Sequence, residues 1–595
     1  VEASENSSLR LLRCVRALSS SFSLLVDIKL LLNSPLSNML LLPTFLRRSI
    51  RRGYVRTMST VSNISSLPIW ASVDPISMSG KRPAKCENFV SGKWLPVSEY
   101  KVFPDPLNGE PFLSVPNTSF DETKPFIASL KSVTKSGLHN PFKSPERYVM
   151  YGGVSKRVAQ ELGRPEVSDF FARLIQRVAP KSYKQAAGEV AVTRAFFENF
   201  SGDQVRFLAR GFSNPGDHPG QMSSGYRWPY GPVTLIAPFN FPLEIPALQA
   251  MGALFMGNKP LVHVDARVSV VFEQLVRLLL HCGMPAADLD LLHGPGPTMG
   301  HVIRQAKPRN TLFTGSQRVA ELLAEQTHGR LFLEDAGFDW KLLGPDAAAH
   351  DAATQKYVAW QCDQDAYACS GQKCSAQSIL FAHTNWSKGT QLFEQMKEFA
   401  SRRKLSDLTI GPVLSWTTEN MLKHVEKLKS LPGAYVMFGG EALSEPHSIP
   451  AVYGAVQPTA VFVPLTSMLA SEEAFALCTT EVFGPFQVVT EWSDGELPLV
   501  LEALERMENH LTAAVVSNDV SFQRKVLEAT VNGTTYCGIR ARTTGAPQNH
   551  WFGPCGDPRG AGIGTPEAIR LVWSCHREII KDEGPMPNAH GFETS

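Results

Sequence analysis

Three residues of this 595-residue chain have the types and settings for chemistry on a carbonyl group. Cys374 lies in Ser370-Gly-Gln-Lys-Cys-Ser375, a glycine- and serine-flanked loop after a helical stretch. A thiol there would be partly exposed, with its thiolate favoured by backbone amides. Asn240 follows the apolar run Val233 to Ala237 within Ala237-Pro-Phe-Asn-Phe-Pro242, at the carboxyl edge of a sheet. From there a side-chain amide can project from the edge of the sheet. Glu334 stands between apolar Leu331 to Leu333 and Ala336-Gly337. A carboxylate so surrounded has its pKa raised into the range that activates water. A thiol nucleophile and a water-activating carboxylate could perform thiolate attack and thioester hydrolysis. Each also has a plainer reading: a lone cysteine is usually a small buried hydrophobe, an Asn before Phe-Pro a turn former, and a Glu a surface charge. Asp335 competes with Glu334 for the same role.

One further segment suits a dinucleotide. Phe313-Thr-Gly-Ser316 falls at a strand-to-helix transition, where backbone N–H groups of Gly315 and Ser316 and the dipole of a helix from Gln317 to Glu325 can meet a pyrophosphate. Glu481-Val-Phe-Gly-Pro485 is a further short motif, and taken alone its Glu481, like Lys259, could equally be an ordinary surface charge. By contrast, Gly294-Pro-Gly-Pro-Thr-Met-Gly300 has one residue too many for Gly-x-Gly-x-x-Gly, and its prolines delete amide donors; it reads as a loop. Cys362 and Cys369 form no Cys-x-x-Cys with Cys374, and no His follows at ligand spacing, so no metal is expected.

The elements that must position these residues can be traced. Asn88 to Trp94 reads as strand, turn and strand, Ser182 to Phe200 as a helix, and Val205 to Tyr230 as extended pieces forming a projecting arm. From Gly231 strands and helices alternate: Val233 to Ala237, a helix, Pro260 to Val264, a helix Val270 to Cys282, then Asn310 to Phe313. Val271, Leu275, Leu278, Leu279 and Cys282 share one face of that second helix, and Gly283 with Pro285 ends it. A second alternating region spans Val358 to Val516, with strands near Ser378 to Phe381 and Leu511 to Val516. The pattern predicts two α/β units built on parallel sheets.

Taken in order and at these separations, the segments around Asn240, Ser316, Glu334, Cys374 and Glu481 resemble the aldehyde dehydrogenase superfamily. Residues 333–343, 361–378 and 543–569 resemble in particular its plant mitochondrial branch acting on glutamate-γ-semialdehyde, in which Leu-Glu-Asp-Ala-Gly-Phe-Asp-Trp replaces the usual Glu-Leu-Gly-Gly run. The resemblance covers nearly everything after about residue 86. It implies two Rossmann-type domains with a small β oligomerisation arm. The implied boundaries are a targeting segment at 1–75, an NAD-binding domain at 76–335 with its arm at 205–230, a catalytic thiol domain at 336–540, and an anchoring loop and oligomerisation tail at 541–595. It implies Cys374 as nucleophile, Asn240 as oxyanion donor and Glu334 as water activator. NAD would lie against Ala237, Pro238, Phe239, Gly315, Ser316 and Phe483, with Lys259 and Glu481 on the ribose hydroxyls. Typical relatives carry a Glu three residues after the Lys, where this chain has Val262, so NAD over NADP rests on the branch alone. The substrate would be held by Phe241 along its aliphatic stem and by Ser375, Gly560 and Ala561 at its carboxylate. A relative acting on another aldehyde, one releasing its acyl group to coenzyme A, and a non-catalytic descendant are the rivals; Glu334 favours hydrolysis, and the presence of Cys374 and Asn240 favours catalysis.

Composition sets the outer limits. Hydrophobic residues make up 43% and charged residues 19%, as in a globular protein, and a net charge of +2 gives no footprint for nucleic acid. The ten cysteines lack the dense spacing of a disulfide-stapled domain. Between Asp27 and Asp74 there is no acidic residue, while Arg47, Arg48, Arg51, Arg52 and Arg56 cluster among serines and leucines, resembling a mitochondrial transit peptide and implying the matrix; a disordered basic arm has the same composition. The apolar runs there fall short of about 18 to 20 residues, so no membrane insertion is expected. The partners expected are a small aldehyde and further copies of the chain in a homo-oligomer.

Overall fold

The computed structural model describes residues 67–335, 337–545 and 550–586. The arginine cluster lies outside the described residues. Trp70 stacks on Phe171 with ring centroids 5.6 Å apart, and the Ser72 amide donates to Gln274 at 2.9 Å. The folded body therefore begins ahead of the expected boundary at residue 76.

Each α/β half is a seven-stranded sheet. In the first the spatial order is Leu331–Asp335, Asn310–Gly315, Pro232–Ala237, Lys259–Val264, Asp290–Leu291, Asn88–Val90 and Lys93–Leu95. The first five run parallel, and the last two, the expected strand-turn-strand, add an antiparallel hairpin at the edge. The chain winds outward from Pro232–Ala237 in one direction, then returns to build Asn310–Gly315 on its other flank. That reversal opens a crevice at the carboxyl ends of these two strands, where ligands of open α/β sheets bind. Asn240 and Ser316 follow them.

The second sheet runs Tyr435–Phe438, Thr459–Phe462, Phe486–Trp492, Gln377–His383, Asp339–Leu343, Thr512–Val516 and Thr534–Cys537, all parallel except the first. Between Asp335 and Asp339 the chain passes from one sheet to the other, so the Glu334 strand ends where the two halves meet. Of the arm expected as extended pieces over 205–230, the start falls in a 3-10 helix, Gln204–Ala209, that buries Val205 and Leu208, while Phe212–Pro215 and Gln221–Pro229 form an antiparallel pair joined by the tail strand Ser574–Asp582.

Local chemistry accounts for the helices that shape the site. Tyr183–Asn199 starts with a capping box between Ser182 and Gln185. Val270–His281 buries the predicted face and ends in a Schellman turn, with the Gly283 amide on the Leu280 carbonyl, the Met284 amide on Leu279 and Gly283 at φ +87°. The glycine-rich segment expected to be a loop instead opens the helix Gly296–Ala306. Its prolines, read as a loss of donors, fall at the first turn, where an amide has no intrahelical partner to lose.

Candidate active site

Cys374 leaves a tight loop in which Cys369, Ser370 and Gly371 all hold left-handed backbone angles, φ 57°, 54° and 68°. A side chain on Gly371 would lie 1.9 Å from the Gly484 carbonyl, so only glycine fits. The Gly411 amide donates to Ser370 Oγ at 2.8 Å, and Gln372 bridges to the Pro412 carbonyl and the Leu414 amide at 3.0 and 2.7 Å. Across the crevice, Gly337 packs so closely that a Cβ on it would stand 1.7 Å from the Cys374 carbonyl oxygen.

Glu334 is 2% exposed, and among the described residues no donor satisfies the hydrogen-bond geometry at either carboxylate oxygen. The Cys374 thiol faces it, and burial pushes its pKa up to about 7. Burial and the Glu334 charge in turn hold the Cys374 thiol well above its ordinary range. Cys374 is partly exposed as expected, but in place of an amide-stabilised thiolate it is a protonated thiol against a buried carboxylate. The pair shares a proton that Glu334 is placed to take.

Asn240 is buried in the turn before the helix Glu244–Phe255. Lys181 donates to its carbonyl at 2.7 Å and pairs with Glu189 at 3.0 Å. The other Glu189 oxygen accepts the Leu243 and Glu244 amides at 2.9 and 3.3 Å. This buried pair fixes the backbone of the turn and satisfies the start of the helix.

Two cavities meet at the thiol. One, of about 300 Å³, is lined by Pro238, Phe239, Asn240, Gly315, Ser316, Glu481 and Phe483 among others. The other, of about 270 Å³, is lined by Phe241, Glu244, Lys373, Ser375, Thr544, Phe552 and neighbours. Ile245, Glu334 and Cys374 belong to both. In the first, the Phe239 and Phe483 rings meet edge to face at 5.8 Å, with the Arg267 guanidinium 4.7 Å from the Phe239 ring centre. Ser316 opens the helix Gln317–Thr327 without capping it through its side chain, which leaves first-turn amides for an anion. Glu481 accepts the Gly337 amide at 3.1 Å, and burial raises its pKa to about 8. An aromatic slot, a helix start and a buried carboxyl in one cleft fit a nicotinamide dinucleotide. Ala237 lies just behind, its carbonyl accepting the Asp265 amide at 3.1 Å.

Lys259 is not in this cleft. It begins its strand opposite Pro232, at the amino edge of the sheet, about 17 Å of strand away from the carboxyl edge. It is 4% exposed, donates to Ser129 at 2.6 Å and pairs with Asp290 at 3.3 Å. The expected ribose contact is therefore corrected to a buried structural ion pair. Gly560 and Ala561 are corrected as well. The Gly560 amide donates to the Asp557 carbonyl at 2.9 Å and the Ala561 amide to Leu333 at 2.8 Å, so this segment borders the Glu334 strand and spends its donors there. From the same region Thr544, Gly545, Ile563 and Gly564 reach the second cavity instead.

A family model described as the aldehyde dehydrogenase family matches residues 153–557. The chain belongs to that family. It is 62% identical over 528 residues, 89% of this chain and 94% of the relative, to Delta-1-pyrroline-5-carboxylate dehydrogenase 12A1, mitochondrial, of Arabidopsis thaliana. It is 25% identical over 470 residues, 76% of this chain and 89% of the relative, to human 2-aminomuconic semialdehyde dehydrogenase. Among solved structures, NAD-dependent aldehyde dehydrogenase from Sinorhizobium meliloti shares the fold with a TM-score of 0.72 over 87% of this chain and 99% of that one, at 18% identity. A betaine aldehyde dehydrogenase variant from Staphylococcus aureus in complex with NAD+ does so with a TM-score of 0.71 over 85% and 98%, at 17% identity.

In this member of the family the described structure brings together Cys374, Glu334, Asn240, Pro238, Phe239, Gly315, Ser316, Glu481, Phe483, Phe241 and Ser375 around the two cavities, and places Lys259, Gly560 and Ala561 elsewhere. Sequence reasoning missed Lys181, Glu189, Glu244 and Lys373. For Lys373, its place beside Cys374 was a signal; for the Lys181 and Glu189 pair, eight residues apart across a helix start, there was none.

Proposed function

We propose that this aldehyde dehydrogenase oxidises L-glutamate-γ-semialdehyde, the open form of Δ1-pyrroline-5-carboxylate, to L-glutamate with NAD, through a thioester on Cys374. The observation that carries the chemistry is the Cys374 thiol facing the buried Glu334 carboxylate where two cavities meet. The substrate is supported by kinship to the Arabidopsis enzyme and by the cationic Lys373 and hydroxylated Ser375 beside the thiol.

Glu334 takes the thiol proton, and the thiolate attacks the aldehyde carbon. Charge then develops on the carbonyl oxygen, where the Asn240 side-chain amide and the Cys374 backbone N–H are the donors. NAD, held by Phe239, Ser316, Glu481 and Phe483, supplies the hydride acceptor when bound. Glu334, after releasing its proton to solvent, activates the water that hydrolyses the thioester, with a carboxyl pKa near neutrality suited to that work. Lys373 and Ser375 orient the substrate carboxylate. NAD rather than NADP rests on the branch resemblance, since Val262 offers no charge and Asp265, at the end of the same strand, is bound by Arg267 at 2.6 Å.

Further parts of the reading are a homo-oligomer joined through the Gln221–Pro229 and Ser574–Asp582 sheet, whose Phe212, Met222 and Ile580 are exposed, and a place in the mitochondrial matrix. The location is supported by the acid-free basic segment and by the relative's mitochondrial name. No helix among the described residues is long and apolar enough to cross a membrane. The test is turnover of glutamate-γ-semialdehyde with NAD, followed by the absorbance of reduced cofactor. Comparable turnover by Cys374→Ala would overturn the mechanism, and equal efficiency with simple aliphatic aldehydes would overturn the substrate.

A further inference from the structure

We infer that Cys86, Glu273 and His293 form a structural zinc site in the first α/β half, apart from the reacting thiol. The inference is independent of the substrate and cofactor proposed above.

The three residues are fully buried and arrive from separate segments: Cys86 just after the strand Ala84–Lys85, Glu273 in the first turn of the helix Val270–His281, and His293 just after Asp290–Leu291. Their ligand atoms lie within 4.8 Å of one another. In a tetrahedral zinc site, bonds of about 2.0 to 2.3 Å put neighbouring ligand atoms about 3.3 to 3.8 Å apart. His293 Nε2 and Glu273 Oε2 already stand at 3.5 Å, without hydrogen-bond geometry. The Cys86 thiol faces the same carboxylate. A thiol, an imidazole and a carboxylate suit zinc, a borderline-soft ion, better than calcium or magnesium, which take oxygen donors.

His293 supplies an independent observation. Neither of its ring nitrogens has a hydrogen-bond partner among the described residues, although its backbone is held on both sides. The His293 amide donates to Asn88 at 2.8 Å, the Thr118 hydroxyl donates to the His293 carbonyl at 2.6 Å, and the Asn88 side-chain amide donates to Thr118 at 2.8 Å. An imidazole buried on so fixed a frame forfeits its hydrogen bonds, and a cation at Nε2 offsets part of that cost. Glu273 is braced as a ligand would be. Arg277 donates to Oε1 at 2.9 Å and the Glu87 amide to Oε2 at 2.9 Å, which leaves Oε2 a further lone pair. Charge closes as well: with Cys86 as thiolate, the negative charges of Cys86, Glu273 and Glu87 meet those of Arg277 and a divalent ion. On binding, the Cys86 S–H bond breaks, a sulfur–zinc bond forms and the proton leaves to solvent. The ion ties the chain at Cys86 and the turn at His293 to one helix, and, with its ligands wholly buried, it enters as the chain folds.

The test is metal content of the full chain produced in zinc-supplemented medium and passed over a chelating resin. Wild type should retain about one zinc per chain, and Cys374→Ala the same, whereas Cys86→Ser and His293→Gln should lose it. Produced with cobalt instead, wild type and Cys374→Ala should show a thiolate-to-cobalt charge-transfer band and the intense visible bands of a tetrahedral ion. The charge-transfer band should be gone in Cys86→Ser. A metal-free wild type overturns the assignment, as does metal that persists in Cys86→Ser or disappears in Cys374→Ala. If neither ligand variant folds, the cobalt spectrum of Cys374→Ala decides, the charge-transfer band supporting the site and its absence overturning it. Aldehyde turnover enters none of these readings, so their outcome is separate from that of the proposed function.

Discussion

Replacing Glu334 by Gln should make the protein more stable and nearly inactive, two effects of opposite sign from one buried charge. The carboxyl, ordinarily at 4.5, sits at about 7 in the fold because burial disfavours its ionised form. Its favourable contribution is therefore complete below pH 4.5 and is lost as pH rises through 7. Relative to wild type, Glu334→Gln should gain about 1 kcal/mol at pH 5 and about 3 kcal/mol at pH 8. Urea unfolding at the two pH values measures the gap. The same change removes the group facing the Cys374 thiol, so kcat/KM should fall by roughly 10²- to 10⁴-fold. Because the Glu334 charge helps hold the Cys374 thiol above its ordinary range, alkylation by iodoacetamide, alkaline in the wild type, should in the variant set in at lower pH. A stability gap independent of pH, or kcat/KM within about tenfold of wild type, would refute the proton-sharing pair.

Two further substitutions examine the corrected and the constrained positions. Lys259→Met should leave the KM for NAD within about twofold while costing about 3–5 kcal/mol by stranding Asp290, a pattern expected of a buried ion pair; a large rise in KM at unchanged stability would restore the ribose role. Gly337→Ala drives a methyl to 1.7 Å from the Cys374 carbonyl, and turnover should fall about a hundredfold or more as the thiol is displaced, with near-wild-type turnover the contrary result.

The elements were largely legible in the sequence because buried strands are short apolar runs ended by turn formers, as at Val233 to Ala237 between Pro232 and Pro238 and at Leu511 to Val516 before Ser517 and Asn518. So were the residues that follow such strands directly, Asn240 and Ser316, since the carboxyl edge of a parallel sheet is where ligands lie. Lys259 went astray against that same rule: it precedes its strand, which puts it at the opposite edge. Gly560 and Ala561 went astray because a glycine-rich segment can turn its amides either way, and here they bond to the Glu334 strand. The state of Cys374 was illegible for a different reason. Whether a thiol or a thiolate rests in a loop depends on what faces it across the crevice, and Glu334 arrives from another domain half.

The two cavities touch through little more than Cys374, Glu334 and Ile245. The aldehyde mouth is built from the helices Tyr183–Asn199 and Glu244–Phe255 and the chain beyond Thr534–Cys537, while the cofactor mouth draws on the ends of Pro232–Ala237, Asn310–Gly315 and the Glu481 turn. Natural variation can therefore act on one mouth without disturbing the other. A lineage of such enzymes is free to acquire new aldehydes by exchanging a handful of side chains while inheriting its redox half whole.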